Sequence, residues 1–480
     1  MTIIKNIIIL SVLIMTSLGV SAQSETLADY LETAVKNNPG LKADFLTYQA
    51  SLQKIPQAGA IPDPQLDMGF FLKPMDNIDG SQVADFTLMQ MFPWFGTRKS
   101  AQTEAGHMAN MAFEKFRETR DNLYLSVYTQ WFVLCSLQQK LLNNQENKKY
   151  LEQLETLSVR KFAAPVGSSS SYPVSAPVQQ SSPVASRGSS MSSMGGTGTS
   201  GSQPATQSNS MSSMRSSGGS MGTGAPGMSD VLRIQLETAE LENNIESILS
   251  EMRSEKAKFN VLLNRPAASE VNVPGSFEQI PFTLDIASAM DKITIQNPML
   301  GMLNEETLAI KAKQEMDKKM SYPMLGVGLQ YSLIKKRMAM EIPATKMNGV
   351  DMLMPMFSVS IPIYRNKYKA QQKESELKRQ SSQQRYAATF NALEAELFQT
   401  KHLLENASRQ ISLLEKQTKL ALTTYNLVVQ EFVTGKSDLT NVIQVQRQLL
   451  DYQLRKSEAV ASFNTMVANA QRLISFKENK

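Results

Sequence analysis

Pro323-Met324-Leu325-Gly326-Val327-Gly328-Leu329-Gln330-Tyr331-Ser332-Leu333 alternates without a break. Leu325, Val327, Leu329, Tyr331 and Leu333 share one side against Met324, Gly326, Gly328, Gln330 and Ser332. That period of two is the mark of a strand with one apolar and one polar face. A second stretch follows over 352–363, where Leu353, Phe357, Val359 and Ile361 oppose Met352, Met354, Met356, Ser358 and Ser360. Strands of about ten residues with this two-faced pattern suit an outer-membrane barrel.

Outward from this hairpin the period changes. Leu393, Leu397, Thr400, Leu404, Ala407, Ile411, Leu414, Thr418, Ala421, Tyr425, Val428 and Phe432 keep strict 4,3 spacing, the seam of a coiled coil. The helix this predicts, over 366–433, is about 100 Å long. Thr434-Gly435-Lys436-Ser437 breaks it, and a returning helix runs over 438–475 through Val445, Leu449, Tyr452, Ala459, Phe463, Met466, Ala470 and Leu473. Upstream, Leu284 to Met320 reads as one helical segment leading into the strands.

The whole pattern occurs twice. Asn38-Pro39-Gly40-Leu41 returns as Asn297-Pro298-Met299-Leu300, and Pro64 to Gly69 returns as Pro323 to Gly328, both at an offset of 259. Phe92-Pro93-Trp94-Phe95 answers to Ile361-Pro362-Ile363-Tyr364 at 269, and Phe162 to Phe432 at 270. The first copy therefore predicts a helical segment from Leu27 to Ala60 and strands over 64–73 and 84–92. In these, Leu66, Met68 and Phe70 oppose Asp67 and Gly69, and Phe86 and Leu88 oppose Thr87, Met89 and Met91. Long helices follow over 97–163 and 229–263, with Leu123, Val127, Leu134, Leu137, Leu141, Leu151 and Phe162 in the seam. Ser229-Asp230 matches Ser437-Asp438 at an offset of only 208 where 270 is expected, which leaves 62 inserted residues. The insert, Ala164 to Met228, is Ser, Gly, Pro and Met, too poor in large apolar residues to fold. The repeats divide at 23–265 and 266–480.

Composition removes most chemistry. The 480 residues carry a net charge of +5 from 49 basic and 44 acidic side chains, with two His and one Cys. Nothing points to nucleic acid, a zinc site, a disulfide framework or a hydrolytic triad. His107 and His402 have no partner at ligand spacing and read as exposed or partly packed helix residues. Lone Cys135, among Trp131, Leu134 and Leu137, reads as a buried thiol. Lys5, the apolar run Ile7 to Val20 and Val20-Ser21-Ala22 predict a signal peptide over 1–22, with Gln23 offering no thiol for lipid attachment. No later stretch approaches the roughly 20 apolar residues of a spanning helix. Trp94 and Phe95, followed by Arg98 and Lys99, read as an interfacial aromatic anchor with a basic collar.

Duplicated Asn-Pro-x-Leu, Pro-led strands, long helices and Gly-Lys-Ser-Asp-Leu at 435–439 together resemble the TolC family of outer-membrane efflux ducts, over nearly all of the mature chain. The resemblance implies a mainly α protein with a β-barrel portion. Three chains would each give four strands to a twelve-strand barrel in outer-membrane lipid, continuing into a periplasmic α-helical barrel. It implies no enzyme activity and no cofactor. It implies partners too: two further copies of the chain, a periplasmic adaptor, and an inner-membrane pump of the RND type. Family carboxylates ring the periplasmic mouth at the start of the returning helix. Asp438 matches that position, Asn441 stands where a second acid is expected, and Asp230 and Arg233 are the first-half equivalents. Asp230 and Asp438 equally suit helix N-caps. The cargo expectation rests on the 28 methionines. Thioethers suit Cu(I) and Ag(I). Met89, Met91, Met324, Met352, Met354 and Met356 fall on the inferred lumen face, Met338, Met340 and Met347 flank the outer loop, and Met191, Met194, Met211, Met214, Met221 and Met228 punctuate the insert. Metal export is weighed against a multidrug or type I secretion duct, and against a coiled-coil scaffold that conducts nothing.

Overall fold

The computed structural model describes residues 26–77, 80–163, 228–336 and 349–476. The signal segment, the insert up to residue 227 and the outer-loop methionines lie outside them. The elements run α1 (Leu27–Asn37), α2 (Pro39–Ala58), β1 (Gln65–Asn77), β2 (Gly80–Phe92), α3 (Thr97–Ala163) and α4 (Met228–Leu262). The same order recurs as α5 (Ile286–Gln296), α6 (Pro298–Met320), β3 (Met324–Lys335), β4 (Met352–Ser360), α7 (Arg365–Val433) and α8 (Leu439–Ile474). Among the described residues no helix is long and apolar enough to cross a membrane.

The helical segments expected over Leu27 to Ala60 and Leu284 to Met320 are each two helices, because Asn-Pro cuts them. Proline has no N–H to continue the first helix but is preorganised to begin the next. Asn38 ends α1 and its Oδ1 accepts from Leu41 N at 3.0 Å. Asn297 does the same for α6, accepting from Met299 N at 3.0 Å and Leu300 N at 3.4 Å. Its Nδ2 also donates to Leu473 O at 2.9 Å, so one buried amide ties the start of α6 to the last turn of α8.

Two compact units divide the chain: residues 1–149 with 240–480, and 150–239. In the larger, Tyr30, Trp131 and Phe259 form the aromatic centre of one core, with ring centroids 5.2–5.7 Å apart. Every α7 seam position named above is buried except Thr418, which is half-buried. The α8 seam differs from expectation. Val445, Tyr452 and Met466 are half-buried, whereas Gln446 and Asn464 are buried. The reason is further partners: α8 packs on α7, meets α3 through amides, and through Asn464 accepts from Ile280 N at 2.9 Å and donates to Glu278 O at 3.0 Å. Gln446 Nε2 donates to Asn147 Oδ1 (3.2 Å), Asn147 Nδ2 to Gln453 Oε1 (2.8 Å) and Asn143 Nδ2 to Ser457 Oγ (3.4 Å). Buried amides satisfied this way cost little and fix helix register. In the smaller unit Leu151, Leu154, Val231 and Ile234 are buried, and Gln235 Nε2 donates to Glu155 Oε1 at 2.8 Å.

The four strands form one antiparallel sheet in the order β1-β2-β3-β4. β1 and β2 extend beyond the expected 64–73 and 84–92, to Asn77 and back to Gly80. β4 stops at Ser360 rather than 363, since Pro362 cannot donate to the ladder. Pro355 sits in β4 itself, which is an edge strand within one chain.

Candidate functional site: the polar face of the sheet and its junctions

Directly paired residues of antiparallel strands share a face. Gln65, Met89, Gly328 and Met356 form one row across the sheet. Beside it lie Asp67–Thr87–Gln330–Met354, Gly69–Asp85–Ser332–Met352 and, across three strands, Met91–Gly326–Ser358, with Met324 opposite Ser360. The six strand methionines expected on one face are all there. The opposite face is apolar and open, with Phe70 at 71% and Phe357 at 84% exposure.

Gly326 and Gly328 shape the polar face. A Cβ on Gly326 would stand 2.6 Å from Met91 Sδ and 3.4 Å from Met89 Sδ, and one on Gly328 would stand 3.1 Å from Met89 Sδ. Both thioethers thus converge on the side-chain position that Gly326 leaves vacant. Met356 stands opposite Gly328 on the next strand. Sequence reading saw these glycines only as polar-face residues; their offset of two is visible, but the sulfurs over them are set by cross-strand register. Among the described residues no group of three or more His, Cys, Asp or Glu could hold a metal.

The returning-helix turn is also built locally. Gly435 takes φ +78°, Lys436 N donates to Glu431 O at 2.8 Å and Gly435 N to Phe432 O at 3.1 Å, the pattern that closes a helix in a left-handed residue. Asp438 is then the N-cap of α8, accepting from Thr440 N at 3.0 Å, and is exposed. Asn441 donates through Nδ2 to Ser437 Oγ at 3.3 Å. Asp230 is not an N-cap: α4 already includes Met228 and Ser229, so its carboxylate stands in the first turn, where it favours the helix dipole. Met191, Met194, Met211 and Met214 lie outside the described residues.

His107 is half-buried with Nδ1 2.7 Å from Glu305 Oε2, and His402 is exposed. Cys135 is buried and its thiol is pushed up to about 12 by loss of solvent. Where strands pass into helices, Trp94 stacks on Tyr322 at 5.3 Å, Arg98 Nε and Nη2 hold Gly59 O at 2.8 and 2.5 Å, and Lys319 Nζ reaches Ser100 Oγ at 2.8 Å.

The site is thus a four-stranded sheet with one open apolar face and one polar face, carried on helices of 67 and 69 residues. Residues 290–474 match the family model described as outer membrane efflux protein. The matched span runs from within α5 to the end of α8 in the second repeat. The fold is similar to that of the outer membrane protein VceC of Vibrio cholerae (12% identity, TM-score 0.64, covering 94% of this chain and 96% of that one). It is similar also to CusC, whose structures concern folding and transmembrane channel formation (14%, 0.64, 94% and 92%). The open-state MtrE channel of Neisseria gonorrhoeae is a third (12%, 0.62, 94% and 88%). No curated protein matches the chain by sequence.

Proposed function

We propose that the protein is the exit duct of a tripartite export system for soft monovalent metal ions, Cu(I) and Ag(I). Three copies close a twelve-strand barrel, since β1 and β4 are unpaired edges in one chain and an open edge cannot remain in lipid. The duct is passive. A periplasmic adaptor joins it to an inner-membrane pump of the RND type, which supplies the energy.

The observation that carries the metal cargo is the convergence of Met89 and Met91 sulfurs over Gly326, with Met356 in the neighbouring row. Uncharged thioethers retain Cu(I) or Ag(I) without the tight hold of thiolates, which suits transit. Threefold symmetry would repeat the cluster around the pore. At the periplasmic mouth, a ring of three Asp438 carboxylates would draw cations and repel anions, with Asn441 and Asp230 as its neighbours in role. Copper and silver survival of a deletion strain tests the cargo, with intact protein, an insert-deleted form, and a form carrying Met89→Ser, Met91→Ser and Met356→Ser as complements. The reading expects rescue by the intact protein and loss of rescue by the Ser form. Equal survival of the deletion and complemented strains removes the metal cargo and leaves a multidrug or secretion duct.

A further inference from the structure

At the foot of the apolar face, where β2 and β3 pass into the helices, lies a cavity of about 610 Å³. Phe92, Leu325 and Val327 form its wall towards the strands, and each is exposed on the same apolar face. Trp94 and Phe95 form its floor, with Phe95 79% exposed. Its rim is cationic. Arg98 is fixed by its two bonds to Gly59 O, while the Lys99 ammonium, exposed beside it, makes no hydrogen bond or ion pair among the described residues. Lys319 adds a third positive charge 3.3 Å from Gly96 O. Among the described residues no carboxylate lines the cavity.

We propose that this cavity binds one anionic phospholipid of the membrane leaflet nearest the helices. The observations favour that occupant over a second copy of the chain. Barrel closure uses the β1 and β4 edges, whereas this cavity is walled by the two central strands on the lipid-facing side. Its wall continues the surface that meets acyl chains, and its rim places uncompensated positive charge where a headgroup phosphate would stand. Trp94 and Phe95 lie between the two, as interfacial aromatics do. The volume is that of a small-molecule site.

The protein has two tryptophans. Trp131 is buried in the helical core, 37 residues along the chain from Trp94, or about 50 Å along α3. With Trp131→Phe, Trp94 becomes the only indole. The purified full-length protein is placed in phosphatidylcholine vesicles containing a small fraction of brominated phosphatidylglycerol, or of brominated phosphatidylcholine at the same level. A built site gives about five-fold preference for the anionic lipid in quenching of Trp94, the effect of one interfacial charge. Lys99→Gln abolishes the preference and Lys99→Arg retains it. Equal quenching by the two brominated lipids would reduce the cavity to ordinary annular contact, and a preference unchanged by Lys99→Gln would place the anion elsewhere; either overturns the proposal.

Discussion

Asn297 and Asn38 occupy equivalent positions in the two repeats, yet they should differ in what they contribute. Each caps a helix, and losing an Asn cap costs about 1 kcal/mol. Asn297 does more, since its Nδ2 satisfies the buried Leu473 carbonyl at 2.9 Å. Removing that donor orphans a carbonyl in the last turn of α8, at about 1–3 kcal/mol. Asn297→Ala should therefore cost about 2–4 kcal/mol, against about 1 kcal/mol for Asn38→Ala. Asn297→Asp keeps the cap acceptor but replaces the donor with a carboxylate facing a carbonyl, so it should not rescue. Native-state hydrogen exchange on the detergent-solubilised protein, read by mass spectrometry, resolves the difference locally. Protection of the Met299 and Leu300 amides should fall by about thirty-fold or more in Asn297→Ala, with a concurrent loss in the last turn of α8. Protection of Leu41 in Asn38→Ala should fall by about five-fold. Equal losses in the two variants, or an unperturbed α8 in Asn297→Ala, would refute the double role of Asn297.

Three further outcomes follow from particular side chains. Asp438→Ala should cost about 1 kcal/mol at the start of α8 and weaken block of the channel by added multivalent cations; unchanged block would leave Asp438 as a cap alone. Burial raises the Glu104 carboxyl above its usual 4.5, and nearby Asp317 adds to the shift that Lys313 opposes. The stability this group contributes is thus present below the usual carboxylate range and lost as pH rises through the raised value. Glu104→Gln should raise the melting temperature near pH 8 and change it little near pH 4, and thermal melts at the two pH values check this. Cys135, buried with its thiol held near 12, should resist iodoacetamide in the native protein and react fully after denaturation, as mass spectrometry of the alkylated peptide would record.

Much of the fold was legible because two periods persist for so long. The 4,3 spacing from Leu393 to Phe432 places α7 residues in the core with Thr418 alone half-buried, since one helix face meets one partner over the full seam. Strand alternation likewise assigned both faces of the sheet. The same logic failed on α8, which meets a second helix: Gln446 is buried because Asn147, 299 residues away, completes its hydrogen bond, and no local pattern reports such a partner. The cut at Asn-Pro was hidden because apolar spacing continues on both sides of it. Asp230 was matched to Asp438 both as a carboxylate of the mouth and as a cap; α4 begins at Met228, which leaves it in the first turn and removes the cap. At the site, alternation found the methionines, while the sulfurs over Gly326 depend on the pairing of β2 with β3, which a single chain sequence does not encode locally.

The central claim is a channel whose polar wall coordinates soft cations, and single-channel recording of the reconstituted protein in planar bilayers tests it in one experiment. In a nitrate electrolyte, micromolar Ag(I) should reduce the current through the intact protein where Na(I) and Mg(II) do not, because only the soft ion is retained by thioethers. The form with Met89→Ser, Met91→Ser and Met356→Ser should conduct as well and ignore silver. Absence of conductance would contradict the duct, and silver block of equal depth in both forms would contradict the thioether wall.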